Sequence, residues 1–170
     1  MDPRAAIRNI RQHWLADISF TAGYDISYNG QRINRGRCRY MQTIGYIDVE
    51  KYQCISKHIC TNEVIITPER VRHIKERRGE DFYEQYAEYF SFVLSDPDYI
   101  FKDKHENTAI ACKRIGEGDD ALHLVVRLVV VDDPVGFKNS VLTAIKENKK
   151  RFAQRLRNNV PVYKKIDIDE

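Results

Sequence analysis

The sequence predicts an α+β fold: two helices packed on a four-stranded antiparallel sheet, with a basic helix after the sheet and a further helix and hairpin ahead of the module. Three observations predict it. Residues 67–79, TPERVRHIKERRG, open on Thr67, a good N-cap, and Pro68, whose fixed φ suits the first helical position. They close on Gly79, a residue suited to ending a helix. Residues 81–94 place Phe82, Tyr86, Tyr89 and Val93 at helical spacing, widened by Tyr83 and Phe90, a stripe that reads as core. Residues 121–131, ALHLVVRLVVV, are the longest apolar run and too β-branched to prefer a helix, and turn residues bracket them at 116–120 and 132–136.

In chain order, residues 3–18 read as a short helix, with Ala6, Ile7, Ile10, Trp14 and Ile18 recurring at roughly helical spacing between arginines. Asn29-Gly30 is a strong hairpin signal. Residues 35–55 continue as polar, aromatic-rich irregular or β structure. The pattern changes near residues 55–65, which divides the chain into an N-terminal segment, 1–62, and a second part, 63–170. Glu63 to Thr67, EVIIT, is a short strand leading into the first helix. On that helix Val71, Ile74 and Arg78 share one face and Arg70, His73 and Arg77 another, since residues three and four apart stack. Asp96-Pro97 ends the second helix. Strands follow at 99–102, 108–115, 121–131 and 139–146. A basic helix at 147–158 turns Phe152 and Leu156 inward, and an extended tail covers 160–166.

Composition excludes some classes and leaves others open. At 170 residues the chain can bury a core without disulfides or metals. The net charge of +3 is modest, but cations gather at 32–39, 70–78 and 146–157, which favours a polyanion. No run of about 18 apolar residues predicts a membrane span, and the N-terminus lacks the apolar stretch of a secretory signal. The four cysteines, Cys38, Cys54, Cys60 and Cys112, form no CxxC pair; Cys54, His58 and Cys60 lack a companion pair for zinc, so reduced thiols in a cytosolic chain are expected. Tyr24, Tyr28 and Tyr40, interleaved with Arg32, Arg35, Arg37 and Arg39, suit either a single-stranded nucleic acid or an ordinary sheet surface.

The residues with chemistry to offer are few. His73, an imidazole between Arg70 and Arg77, suits an anionic substrate such as RNA phosphate, or is incidental on a solvated basic face. Arg127 sits inside the apolar run, so it is either paired with an acid such as Glu76 or Asp103 or kept for a ligand; its planar fork suits phosphate. Asn139, Ser140 and Thr143 offer amide and hydroxyl donors. Strict alternation places Asn139 and Thr143 on one face and Ser140 on the other, so they line one site only if the strand bulges. No phosphate-cradling glycine loop, HExxH or GxSxG occurs.

Four stretches in order, ITPERVRHIKERRGEDFYEQY, SDPDYIFKDKHENTAIACKRI, LHLVVRLVVVDDPVGFKNSVLTAIK and KRFAQRLRNNVPVYKKID, resemble the phage-associated nuclease domains of the barnase–EndoU–colicin–RelE (BECR) class. The resemblance covers roughly residues 63–167. It implies a toxin-like or phage-encoded, metal-independent and cofactor-free ribonuclease of the cytoplasm that cleaves RNA through a 2′,3′-cyclic phosphate. A histidine would serve as base or acid and arginines would stabilise the phosphorane. The family's helix histidine matches His73, its strand arginine Arg127 and its strand hydroxyl Ser140 or Thr143, with Arg70, Arg77 and Lys164 as phosphate contacts. The chain departs from the pattern after HIKER, where relatives often carry a further histidine or acid and Arg78-Gly79 stands here; His105 and His123 are the candidate substitutes.

Two functions follow as expectations. One is an endoribonuclease acting on tRNA or another structured RNA. The other is a non-catalytic binding module on the same fold, a phage- or mobile-element-encoded inhibitor that grips a nucleoprotein, a host protein or an immunity protein. A DNA-binding role is weaker, for want of a helix-turn-helix pattern.

Overall fold

A computed structural model describes residues 41–116 and 119–166. The helix expected at 3–18, the hairpin at Asn29-Gly30, the tyrosine and arginine interleaving, Cys38 and the last four residues lie outside the described residues. The compact unit that holds the described residues runs from Cys38 to Glu170.

Seven strands form one sheet. In chain order these are β1 (Gln42–Tyr46), β2 (Glu63–Ile66), β3 (Tyr99–Lys102), β4 (Thr108–Ile115), β5 (Asp120–Arg127), β6 (Asn139–Glu147) and β7 (Tyr163–Lys164). Their order across the sheet is β1-β2-β6-β5-β4-β3-β7. Every pairing is antiparallel except β2 with β6, which is parallel. The helices are α1 (Val49–Tyr52), α2 (Pro68–Arg78), α3 (Glu80–Tyr86), α4 (Phe90–Ser95) and α5 (Lys149–Asn158), with a 3-10 turn at Ala87–Tyr89 between α3 and α4.

The α+β class therefore holds, but the sheet is larger than the four strands expected. The expected strands are present as the neighbours β6, β5, β4 and β3. The segment EVII adds a parallel strand on one side, and the tail adds β7 on the other. Gln42–Tyr46 share this sheet as well, and the residues that follow them pack on it. β1 pairs with β2, and the Tyr52 hydroxyl donates to the Leu94 carbonyl at 3.0 Å from a fully buried position. The junction read near residues 55–65 thus falls inside the compact unit.

The first helix starts as its residues dictate: the Thr67 hydroxyl accepts from the Arg70 amide, and the Gly79 amide donates to the Lys75 carbonyl at 2.8 Å. The second expected helix is broken. The tighter turn at Ala87–Tyr89 divides it, and Tyr86, Phe90, Val93 and Leu94 are buried on its sheet side.

The sheet has two unlike faces. On one, Leu122, Leu124, Val126 and Leu128 join Ile74, Phe90, Val93 and Leu94 in the main core, beneath α2 to α4. On the other, Tyr99, Phe101, Cys112 and Ala121 pack with Phe152 of α5 in a smaller core. That helix lies over only part of its face. Val125, Ser140 and Thr143, on the same face, are left half-buried.

The long run expected as a strand to residue 131 leaves the ladder after Arg127. Other acceptors capture its next three amides. Leu128 N donates to the Asn107 carbonyl, Val129 N to Asn139 Oδ1 and Val130 N to Asp133 Oδ2, each at 2.8 Å.

Candidate functional site on the open sheet face

Three of the residues singled out in the sequence meet on one face because β6 bulges. In the ladder Thr143 lies opposite Val125 and Ser140 opposite Arg127, with Leu142 the extra residue between the two registers. Val141 and Ala144, three apart, are accordingly both in the main core at 0% exposure, which strict alternation forbids. Ser140 and Thr143 then point to the same side as Val125 and Arg127, the face that carries α5. Thr108 of β4 is the cross-strand partner of Arg127 on its other flank and is buried.

Arg127 is held but not satisfied. Its Nη2 donates to both oxygens of Asp133, at 3.0 and 3.2 Å. Asp133 Oδ2 also accepts the Val130 amide, which pins the carboxylate in the turn that follows β5. The partner is thus the turn acid Asp133, and neither Glu76 nor Asp103, the acids suggested from the sequence. Nη1 of the same guanidinium is buried and has no partner among the described residues. A buried donor in that state costs on the order of 1–3 kcal/mol. The half-buried hydroxyls of Ser140 and Thr143 likewise make no hydrogen bond to the described residues.

His73 is not part of this group. Its neighbour Ile74 is buried in the main core, on the opposite face of the sheet from Arg127. The half-buried imidazole and the exposed Arg70 and Arg77 therefore belong to the helix layer, with the whole sheet between them and Arg127. His73 and Arg127, both named as candidates from the sequence, are thus not brought together. Lys164 does lie on the Arg127 side, opposite Tyr99 in the ladder. It is three strands away, however, about 14 Å across the sheet at the usual ~4.8 Å per strand, and it lies level with His123 rather than with Arg127. Asn139 is withdrawn from any ligand role. It is fully buried, accepting from Val129 N and donating to the Thr61 carbonyl at 2.7 Å.

Two histidines border the Arg127 end of the sheet. His105 is exposed on the turn whose Asn107 carbonyl accepts Leu128 N. His58 is exposed beside Ile59, which bridges Val130 and packs on the main core. His123 is different. It is 1% exposed under α5, its Nδ1 is 2.9 Å from Cys112 Sγ, and its ring stands edge-on to Phe152 at 5.4 Å. Burial pushes its pKa down, against the pull of Glu147 at 3.4 Å, and burial pushes the Cys112 thiol up. Glu147 is held below the usual carboxylate range by Arg155. This cluster is enclosed and joins α5 to the sheet.

Basic charge adjoins the open face. Lys150, Arg151 and Arg157 of α5 are exposed, and no ion pair among the described residues involves them, whereas Lys149 and Arg155 bind Asp119 and Glu147.

Sequence reading missed the pairing role of Asp133, whose position in a turn explained it sufficiently on its own, and it missed the bulge. The only signal for the bulge was the demand that Ser140 and Thr143 serve one site. Comparison with known proteins finds no matching family model, no matching curated protein and no matching solved structure.

Proposed function

We propose that the chain binds and cleaves RNA on the open sheet face, without metal, through Arg127, Ser140 and Thr143. The observation that carries this reading is the unpartnered Arg127 Nη1 beside two free hydroxyls that the β6 bulge brings to its side. A phosphate oxygen would satisfy all three donors, and its charge suits a guanidinium that stays protonated. Asp133 then holds the fork by Nη2 and leaves Nη1 for the substrate. In cleavage the 2′-hydroxyl attacks the adjacent phosphorus, the 5′-oxygen leaves, and a 2′,3′-cyclic phosphate remains. Arg127 stabilises the charge of the phosphorane, and such electrostatic stabilisation usually supplies most of the rate enhancement in chemistry of this kind. One proton must be taken from the 2′-hydroxyl and one given to the leaving oxygen. His58 and His105, at this end of the sheet, offer the imidazoles for those duties. His73 has no part.

The test is incubation of the purified chain with a panel of RNAs in EDTA. Cleavage to cyclic-phosphate ends is expected, undiminished in His73→Ala and reduced about 100-fold or more in Arg127→Ala, the scale on which removing one charge-stabilising donor acts. Loss of activity in His73→Ala alone would sink the assignment.

A second reading has its own observation. The Asp133 carboxylate already neutralises Arg127, which favours a binding module of the same layout that grips a nucleoprotein or host protein and cleaves nothing. An RNA panel left intact while still retained by the protein would select this reading.

A further inference from the structure

We infer that Tyr46 and Phe137 form a nucleobase-stacking subsite at the rim of the open face, taking a base of the strand whose phosphate lies at Arg127. The inference rests on the phosphate reading above and adds a second ligand group to it. Tyr46 is 56% exposed and Phe137, in the loop before β6, is 59% exposed.

Register places Tyr46 there. It is the cross-strand partner of Glu63, and Glu63 alternates with the core residue Val64, so both side chains follow the open face. Glu63 in turn ties the rim together. It accepts from the Thr43 hydroxyl at 2.7 Å and ion-pairs with Lys138, the residue after Phe137. Phe137 is the residue before Lys138, whose ion pair with Glu63 ties this loop to the strand that pairs with Tyr46, and it stands three residues before Ser140 in the chain.

Neither ring has a stacking partner among the described residues, unlike Phe82, Tyr83, Tyr86, Tyr89, Tyr99 and Phe152. Exposed aromatics beside a cationic groove are the arrangement that single strands require, because every base has a face to stack and duplex bases do not offer theirs. The exposed cations Lys150, Arg151 and Arg157 supply the charge complement to a strand rather than to an apolar peptide.

The test uses fluorescein-labelled 2′-O-methyl decamers, which lack the attacking hydroxyl and so report binding alone. One decamer is of mixed sequence, one has abasic sites throughout, and one is the mixed strand annealed to its complement. Anisotropy at low salt should show the mixed strand binding about 10-fold tighter than the abasic strand or the duplex, the scale of roughly one stacked base. The double variant Tyr46→Ala, Phe137→Ala should abolish that difference without changing binding of the abasic strand, and Phe137→Trp should preserve it. Arg127→Ala should weaken all three ligands.

Equal binding of the intact and abasic strands, with Arg127→Ala still weakening both, would overturn the base subsite and leave the phosphate reading standing. Indifference of every ligand to Arg127→Ala would overturn the phosphate reading. Failure of all three to bind, with self-association that Phe137→Ala removes, would reassign the rim to a contact between copies of the chain.

Discussion

Arg127 and Asn139 are both polar residues at the edge of an apolar run, and their surroundings set them apart. Asn139 has its side chain tied at both ends: its amide donates to Thr61 and its oxygen accepts from Val129. Asn139→Ala would strand a buried amide and a buried carbonyl, and a loss of about 2–4 kcal/mol is expected, since each unsatisfied group costs about 1–3 kcal/mol. Urea unfolding should show the midpoint fall with the slope unchanged. Arg127 keeps a donor in reserve. Asp133→Asn should leave the fold intact, because the amide oxygen still accepts from Val130 N. It should also raise affinity for a phosphate strand by a few-fold by removing a competing charge, as read by the anisotropy of a labelled decamer; weaker binding would mean that Asp133 positions the fork and does not compete for it.

Among the elements, β6 is the one whose irregularity makes the site. Leu142 is the residue that lets Ser140 and Thr143 share a face while Val141 and Ala144 share the core. Deleting Leu142 would close the bulge into a plain ladder in which Ser140 and Thr143 still share the open face and Val141 and Ala144 still share the core. Cooperative thermal unfolding by circular dichroism is expected to survive, and its loss would show that the irregular backbone at Leu142 is itself required by the fold. At the sheet's edge β1 depends on Gly45 for a different reason. A Cβ there would stand 3.0 Å from the Ser91 Cα of α4, a backbone atom that cannot swing aside. Gly45→Ala should destabilise by about 1–3 kcal/mol, the usual cost of overpacking, and a neutral thermal midpoint would show that α4 yields.

Across the whole molecule, two polar clusters, one half-buried and one buried, hold distant parts of the chain together. Asp96, after α4, binds Lys113 of β4 at 2.9 Å and Lys165 beyond β7 at 2.6 Å, and Lys51 of α1 at 3.4 Å. Burial works to raise its pKa, but Lys165 and Lys113 together hold it well below the usual carboxylate range. The pKa of His123, under α5, lies below its ordinary value through burial. Both shifts act in one direction with pH. The unfolded chain would protonate His123 below about pH 6.5 where the folded chain does not, so the unfolded state holds more protons and stability falls as pH falls. Asp96 contributes stability above about pH 3.8 and loses it as pH falls through and below that value. Thermal midpoints from pH 8 to 3 should therefore stay level above about 6.5, decline below it, and drop more steeply under about pH 4. In His123→Gln the first decline should be missing, and its persistence would assign it to another group.

Local chemistry settles what lies within a few residues. The cap at Thr67, the glycine at Gly79, the core stripe of Phe82 to Val93 and the strands β2 to β6 were legible because propensity, periodicity and turn residues act over one turn or one strand. The α+β class followed from their order. The sheet's full width, the place of residues 42–62 in and against it, the bulge at Leu142 and the acid that binds Arg127 were not legible. Each depends on which strand lies beside which, a matter of packing between residues far apart in the chain. The same holds for His73. Helical spacing set its neighbours Arg70 and Arg77, but only the handing of α2 to one side of the sheet separated it from Arg127, because a sheet admits no contact between side chains on its opposite faces.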